Sequence, residues 1–407
     1  MAVQQVTTSI PFARTVVTSE ALAAAAAVMT SGWLTSGPRV QEFEKEFREL
    51  VDAPHAVAVS SCTAALELAL RALRLPSGAK VLTPSMTFCG AVNAIVHSGL
   101  TPVFVDLDAG TLAPSAETVA AATARAGGAD AMVVLHYAGH PSPVSELAEA
   151  AELPLSRVVE DAAHAVGTVT PEGKVGSISA ATCFSFYATK DLPVGEGGMV
   201  TTADEEIADY LRRARLHGMS RDGWKRYLPG GSWRYDVEVD GLKANLTDVQ
   251  AAIGRAHMRT FPAWQQRRAE LVARYDAVLG NVKGVVRPPR PGRGEGRHAW
   301  HLYVVRVMPD SRVDRDAMIA GMVAHGIGTS VHFIPNHRQP YFLRLLGAQV
   351  ANQCPEADRV ADQILSLPLH PWLDEADVDR VCAVLAALAS GDSSFLSPDF
   401  AVLEGRP

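Results

Sequence analysis

Between residues 55 and 202 the chain alternates short apolar runs with longer amphipathic segments. The runs are HAVAVSS (55 to 61), KVLTP (80 to 84), TPVFVDLD (101 to 108), DAMVVLHYAG (130 to 139), RVVED (157 to 161), ATCFSFYA (181 to 188) and GGMVTT (197 to 202). Most of the first five are near-continuously hydrophobic, and segments such as TAALELALRAL (63 to 73) and CGAVNAIVHSG (89 to 99) read as helices between them. Strands buried on both faces of a mostly parallel sheet show this pattern, because the crossover helices cover both sides. The last two runs are joined by a loop too short for a helical crossover, which predicts an antiparallel pair.

Beyond residue 203 the alternation stops. A charged helix is followed by the Gly/Trp/Arg-rich segment SRDGWKRYLPGGSWRYDVEVDG (220 to 241), polar and long enough to predict a lid or an interface arm. A helical stretch then runs from Thr247 to about Leu279, with Pro262 as an expected kink. The domain boundary is placed there: a large domain over residues 1–260 and a small α+β domain over 261–390. The small domain would be built from HLYVVRV, GIGTSVHF and the helix DEADVDRVCAVLAALA, with a poorly ordered tail over 391–407. No internal repeat is visible.

Composition narrows the class of protein. A chain of 407 residues with 48% hydrophobic content supports a large core in more than one layer. The formal charge of −7 offers no general basic field for nucleic acid. Five scattered cysteines (Cys62, Cys89, Cys183, Cys354, Cys382), with no C-x-x-C pair, read as buried thiols in a reducing compartment and not as a disulfide or metal framework. The first residues lack a basic segment followed by a long apolar core, and the Ala-rich run at 21 to 28 is too short to span a bilayer. A cytoplasmic protein is expected.

The chemistry is concentrated around one lysine. Only seven of the 37 basic residues are lysines, and Lys190 alone follows a buried-looking strand, beside the turn Gly195-Glu196-Gly197-Gly198 and some thirty residues after Glu160-Asp161. A lysine delivered from a rigid strand can form a Schiff base with an aldehyde cofactor, and a separately supported aspartate can keep a pyridine nitrogen protonated. The pattern points to pyridoxal phosphate. Ser60-Ser61-Cys62-Thr63-Ala64 closes the first strand and opens a helix, where it serves either as an N-cap or as a phosphate seat. Asp161 ends the fifth strand and His164 follows at the start of the next predicted helix, so capping and cofactor roles both remain open. Phe88 reads as core or as a ring placed to stack on a planar group, and Asn245 as a helix start or a site residue.

These residues sit in an ordered series of motifs: SSCTAAL, TPSMTFCGAVNAI, LHYAGHP, VEDAAHAVGT, FSFYATKDLPVGEGGMV, NLTDVQAAIG, HAWHLY, GIGTSVHF and SLPLHP. Over residues 10 to 390 the series resembles the DegT/DnrJ/EryC1/StrS family of sugar aminotransferases, and within it the 4-ketopentose aminotransferases of the aminoarabinose pathway. The resemblance implies an α/β chain of fold type I, aspartate aminotransferase-like, with a mostly parallel seven-stranded sheet and a smaller α+β C-terminal domain. It implies pyridoxal 5'-phosphate as cofactor, pyridoxamine 5'-phosphate as its aminated form, and a homodimer with shared sites. Position by position, it makes Lys190 the Schiff-base lysine, Asp161 the partner of the pyridine nitrogen and His164 the neighbour of the phenolic oxygen. Phe88 becomes the ring-stacking aromatic, and Thr63, Ala64 and Ser185 phosphate contacts. Asn245 would reach the phosphate from the neighbouring subunit, and His332 would face substrate. The family usually carries Asn where this chain has Asp191.

The implied reaction uses the free amine of Lys190 to move a proton from the amino donor, expected to be L-glutamate, while the ring takes up carbanion charge. A nucleotide-linked keto sugar then accepts the amino group in the reverse sequence, giving ping-pong kinetics. Arg221, Lys225, Arg226 and Arg234 are candidates for the diphosphate, and amino-sugar supply for an antibiotic or the cell envelope is the expected pathway. No metal is called for. The rival readings are a binding protein that holds cofactor or sugar without turnover, and an aminotransferase for 3-keto sugars.

Overall fold

The computed structural model describes residues 9–220, 235–292, 294 and 296–392. Its centre is a seven-stranded sheet. The strands are β1 His55–Val59, β2 Lys80–Pro84, β3 Thr101–Val105, β4 Ala131–Leu135, β5 Val158–Asp161, β8 Ala181–Ser185 and β9 Gly198–Thr202, in the order β1-β9-β8-β5-β4-β2-β3. From β3 to β8 all neighbours are parallel, whereas β9 runs antiparallel to both β8 and β1, as the short connection between the last two runs predicts.

Both faces of this sheet are covered, which explains why its strands read as continuous apolar runs. Side chains alternate across it. Val57 and Val59 of β1, Ala181 and Cys183 of β8 and Val200 of β9 pack with Leu66 and Leu70 of α3 (Cys62–Ala72) and Ile95 of α4 (Cys89–His97). Ala56, Ala58, Phe184 and Met199 point the other way, onto Phe43 and Phe47 of α2 (Pro38–Val51). Farther along, Leu82, Met132 and Val134 meet Val119 of α5 (Ala116–Ala126) and Leu147 of α6 (Val144–Ala150).

Helix α7 (Glu205–Ala214) packs beside α3, and α1 (Ser19–Ser31) lies along the 32-residue helix α8 (Asp248–Leu279). Thr247 caps α8 in a reciprocal pair with Gln250, and the helix runs unbroken through Pro262. Its first half gives Ala251 and Phe261 to the core under the large sheet, and its second half gives Leu271, Tyr275 and Leu279 to another. That second core covers an antiparallel sheet of β10 (Val285–Val286), β11 (Tyr303–Val307) and β12 (Ile364–Leu367), with α9 (Arg315–Ala324) and α12 (Glu375–Ser390) against it. On α12 the spacing of Val378, Val381, Leu385 and Leu388 buries one helical stripe. Two short helices, α10 (Pro340–Leu346) and α11 (Pro355–Ala361), complete this region. Ile10, near the start of the chain, joins this core through a bridge to Ile327.

Two sequence expectations change here. No helix begins at His164; the chain turns and forms the two-stranded ribbon β6 (Val169–Thr170) and β7 (Gly173–Lys174), because Asp161 turns the backbone by accepting from the Ala163 N–H at 3.0 Å. The cysteines are all free, but Cys89, at the start of α4, is exposed and Cys62 is half-buried. The tail from 393 onward and residues 221–234 of the polar loop lie outside the described residues.

Candidate active site

In an open α/β sheet the ligand crevice lies past the carboxyl ends of the parallel strands. There a cavity of about 490 Å³ opens, and its wall includes Thr63, Phe88, Asp161, His164, Ser185, Lys190 and His332. Seven of the nine candidate residues therefore meet in one place, although they are spread over 270 positions of sequence, from 63 to 332.

Each arrives by a local cause. Strand β5 ends in Glu160-Asp161, and alternation sends the two carboxylates to opposite faces. Glu160, fully buried, accepts from Ser179 and Thr182 at 2.7 and 3.0 Å and pairs with His136 at 2.8 Å, so its role is to tie β5 to its neighbours. Asp161 faces the cavity at 4% exposure, and burial pushes its carboxyl up while the Ala163 N–H and the Lys190 charge pull it down. Lys190 sits in a turn five residues past β8, its N–H donating to the Tyr187 carbonyl at 2.9 Å. Burial lowers its pKa, which favours the neutral, nucleophilic amine.

His164 accepts the Ala138 N–H on Nδ1 at 3.2 Å, which leaves the ring proton on Nε2. Burial holds this imidazole well below its usual range, so it is neutral. It stacks with Phe333 at 5.8 Å and lies 4.5 Å from the ring of His301. His332, paired through Nδ1 with Ser366 Oγ at 2.8 Å, is lowered by burial to about 4. Phe88 is 60% exposed and belongs to no core; it caps the start of α4 at the cavity rim.

Also in the wall, Ser61 caps α3 and Cys62 and Thr63 begin its first turn, whose amides give that end of the cavity a positive dipole. Ser61 Oγ takes the Ala64 N–H at 3.1 Å, so the N-cap reading of this motif holds for Ser61, and Ala64 is not part of the cavity wall. A Cβ at Gly198 would stand 2.6 Å from the Ser61 carbonyl, so only glycine lets β9 approach this turn. Asn245 is also absent from the wall: it bridges to Val59, its amide nitrogen donates to Ser36 Oγ at 2.7 Å and its oxygen receives Lys243. Sequence reading passed over Cys62, Glu196, His301 and Phe333, which also line the cavity. The second histidine of HAWHLY was the available signal for His301.

Asp191 answers the departure seen in the sequence. It is buried, accepts from Arg268 Nη2 at 2.9 Å and pairs with His301 Nδ1 at 3.0 Å. Arg268 Nη1 also donates to the carbonyls of Trp300 and Leu369, at 3.2 and 2.9 Å. An aspartate is needed here because an arginine faces it.

The donor set fits pyridoxal phosphate: an anchored carboxylate for a cationic ring nitrogen, a depressed lysine for an aldehyde, and hydroxyls with first-turn amides for a phosphate. The model of the DegT/DnrJ/EryC1/StrS aminotransferase family matches residues 16–386. The chain belongs to that family. It is thus a pyridoxal-phosphate-dependent sugar aminotransferase. Among relatives of this aminotransferase is the spore coat polysaccharide biosynthesis protein SpsC of Bacillus subtilis (strain 168), 43% identical over 94% of this chain and 97% of that one. Among solved structures, Spr1654 of Streptococcus pneumoniae in its PMP form superposes with a TM-score of 0.85 at 28% identity, over 95% of this chain and all of that one; its PLP form gives 0.84. The sugar aminotransferase CalS13 of Micromonospora echinospora gives 0.81 at 30% identity, over 93% and 99%. These neighbours share fold type I, the fold described above.

Proposed function

We propose that this enzyme moves an amino group from L-glutamate to the C4 keto group of a nucleotide-linked keto sugar, with a 4-ketopentose preferred over a 4-keto-6-deoxyhexose. The observation that carries this reading is the single cavity that holds Lys190, Asp161 and His164 together with His332. Bound pyridoxal phosphate supplies an aldehyde that condenses with amines and a ring that withdraws electrons. Asp161 would hold the ring nitrogen and His164, through Nε2–H, the phenolic oxygen. Thr63 and Ser185 would hold the phosphate, and Phe88 would cover the ring from the rim. Lys190 moves the proton at the donor Cα and returns it when the sugar is the partner.

His332 and His301, both held neutral by burial, offer hydrogen bonds to sugar hydroxyls without a charge to attract a keto acid. Exposed apolar side chains at the rim and on α1 (Phe88, Tyr187, Leu22, Met29) support a homodimer, in which Asn245 of one subunit reaches the other's phosphate. The nucleotide diphosphate is assigned to the basic loop around Arg221 to Arg234. SpsC, named for polysaccharide synthesis, supports a place in amino-sugar supply for an envelope polymer, with antibiotic sugars as the other outlet. Free thiols throughout support work in the reducing cytoplasm.

The test is a panel of keto nucleotide sugars with glutamate, read as kcat/KM. A pocket shaped for hydrogen at C5 clashes with a methyl, whereas a hexose pocket loses only about 1 to 3 kcal/mol on meeting the smaller sugar. A clear preference for the hexose overturns the pentose assignment, and a preference for a 3-keto sugar overturns C4.

A further inference from the structure

Behind Lys190 lies a second, smaller cavity of about 20 Å³, walled by Arg14, Lys190, Asp191, Trp264, Arg268 and His370 among others. That is room for one water-sized group. Ala13, Thr189, Lys190 and Leu369 bound both this cavity and the main one, so the two are neighbours across the lysine.

Two residues of the small cavity's lining, His370 and Arg268, carry buried nitrogens without a hydrogen-bond partner. His370 is 4% exposed, yet neither ring nitrogen has a hydrogen-bond partner; the Pro11 carbonyl comes near without bonding geometry. Arg268 is equally buried and leaves Nε unpartnered after its other nitrogens are used. Buried donors left this way cost free energy that a ligand recovers. The sign of that ligand follows from the charges. The walls carry Arg14, Lys190 and Arg268 against one carboxylate, Asp191, which Arg268, His301 and Gln265 already occupy. His370 is neutral, since burial lowers it to about 4.

Arg14, exposed in the wall of this cavity, has no ion pair or hydrogen bond among the described residues. The backbone on either side of it is nevertheless held. Upstream, Ile10 exchanges backbone bonds with Gly326 and Gly328 at 2.8 Å, and downstream the Thr15 hydroxyl donates to the Ala188 carbonyl of the lysine turn.

We propose that this cavity, with Arg14, is an anion site that takes a carboxylate of the amino donor beside Lys190. The assignment rests on the amino-acid donor of the proposed function. A carboxylate oxygen there meets the Arg268 Nε–H and a His370 N–H, and the group's charge meets Arg14. The donor would then hold one carboxylate oxygen in a place the sugar does not use, while both substrates react with Lys190 in the main cavity.

The test titrates glutarate, which has the donor's carboxylates and no amine, into cofactor-loaded enzyme by calorimetry, alongside the rate of cofactor conversion by L-glutamate. Arg14→Gln should weaken glutarate binding and raise half-saturating glutamate by about 2- to 5-fold with little change in limiting rate, as for loss of an exposed ion pair. Arg14→Lys should recover part of it, and His370→Phe should weaken both readouts without altering Arg14. If wild type responds to glutamate but both Arg14→Gln and His370→Phe bind glutarate as wild type does, the anion site is overturned and the donor reading stands. If glutamate fails to convert wild type, while glutarate binding still depends on Arg14, the donor assignment is overturned.

Discussion

Replacing Arg268 by methionine should destabilise this enzyme more than any surface change. In the folded chain the Arg268–Asp191 pair is almost fully buried, with side-chain exposures of 5% and 3%. Burial lowers the arginine and raises the aspartate, each against the attraction of the other, so desolvation outweighs attraction on both sides. Such a pair adds little net stability, but removing Arg268 leaves Asp191 a buried charge without its cationic partner, with only His301 and Gln265 beside it, at a cost of about 3–5 kcal/mol. Arg268→Met also removes the donor of the Trp300 and Leu369 carbonyls. The double variant Arg268→Met, Asp191→Leu removes the stranded charge and should be more stable than Arg268→Met alone by ~2 kcal/mol or more. Urea unfolding of cofactor-saturated protein at one fixed concentration measures both, because an oligomer's apparent stability depends on concentration. A loss below about 1 kcal/mol for Arg268→Met, or a double variant as weak as the sum of the singles, refutes the reasoning.

Lys190→Ala should abolish turnover and the absorbance of lysine-linked cofactor while unfolding near the wild-type urea midpoint; borohydride labelling of Lys174 or Lys243 in the wild type would contradict it. Mixing Lys190→Ala chains with Asn245→Ala chains should regain partial activity, because one site of each mixed dimer would be intact, and no recovery counts against the shared site. His370 and His332 are held at about 4 against an ordinary histidine near 6.5, so between those values only the unfolded chain binds the proton. Their contribution, at most ~3 kcal/mol for a fully buried ring, is present above about pH 6.5 and lost as pH falls toward about 4. The raised carboxyls of Asp161 and Asp191 act in the opposite sense, so the comparison is with His370→Phe: its urea midpoint should fall less steeply from pH 7 to 5 than that of wild type, and equal slopes refute it.

Much of the fold was legible because local pattern and burial agree. Runs such as HAVAV and AMVVL are apolar on both sides of the strand, and a strand covered on both faces must be so. The short step from β8 to β9 allowed only an antiparallel pair, and that pair is what forms. The helix expected at His164 failed because a capping aspartate closes a turn as readily as it opens a helix, and the choice is made by what packs next.

The candidate site divides along the same line. Local features of the sequence selected Lys190, Asp161, His164 and Thr63, at strand ends, a helix start and a glycine turn, the family resemblance added Ser185, and the strand order then brings them to one rim. Sequence alone could not show that Asp191 needs Arg268, 77 positions later, or that Arg268 and His370, each with unpartnered buried nitrogens, line one small cavity with Arg14. Those facts depend on distances between segments remote in the chain. Whether a buried charge or donor is satisfied is decided only once tertiary packing has excluded water and set its neighbours.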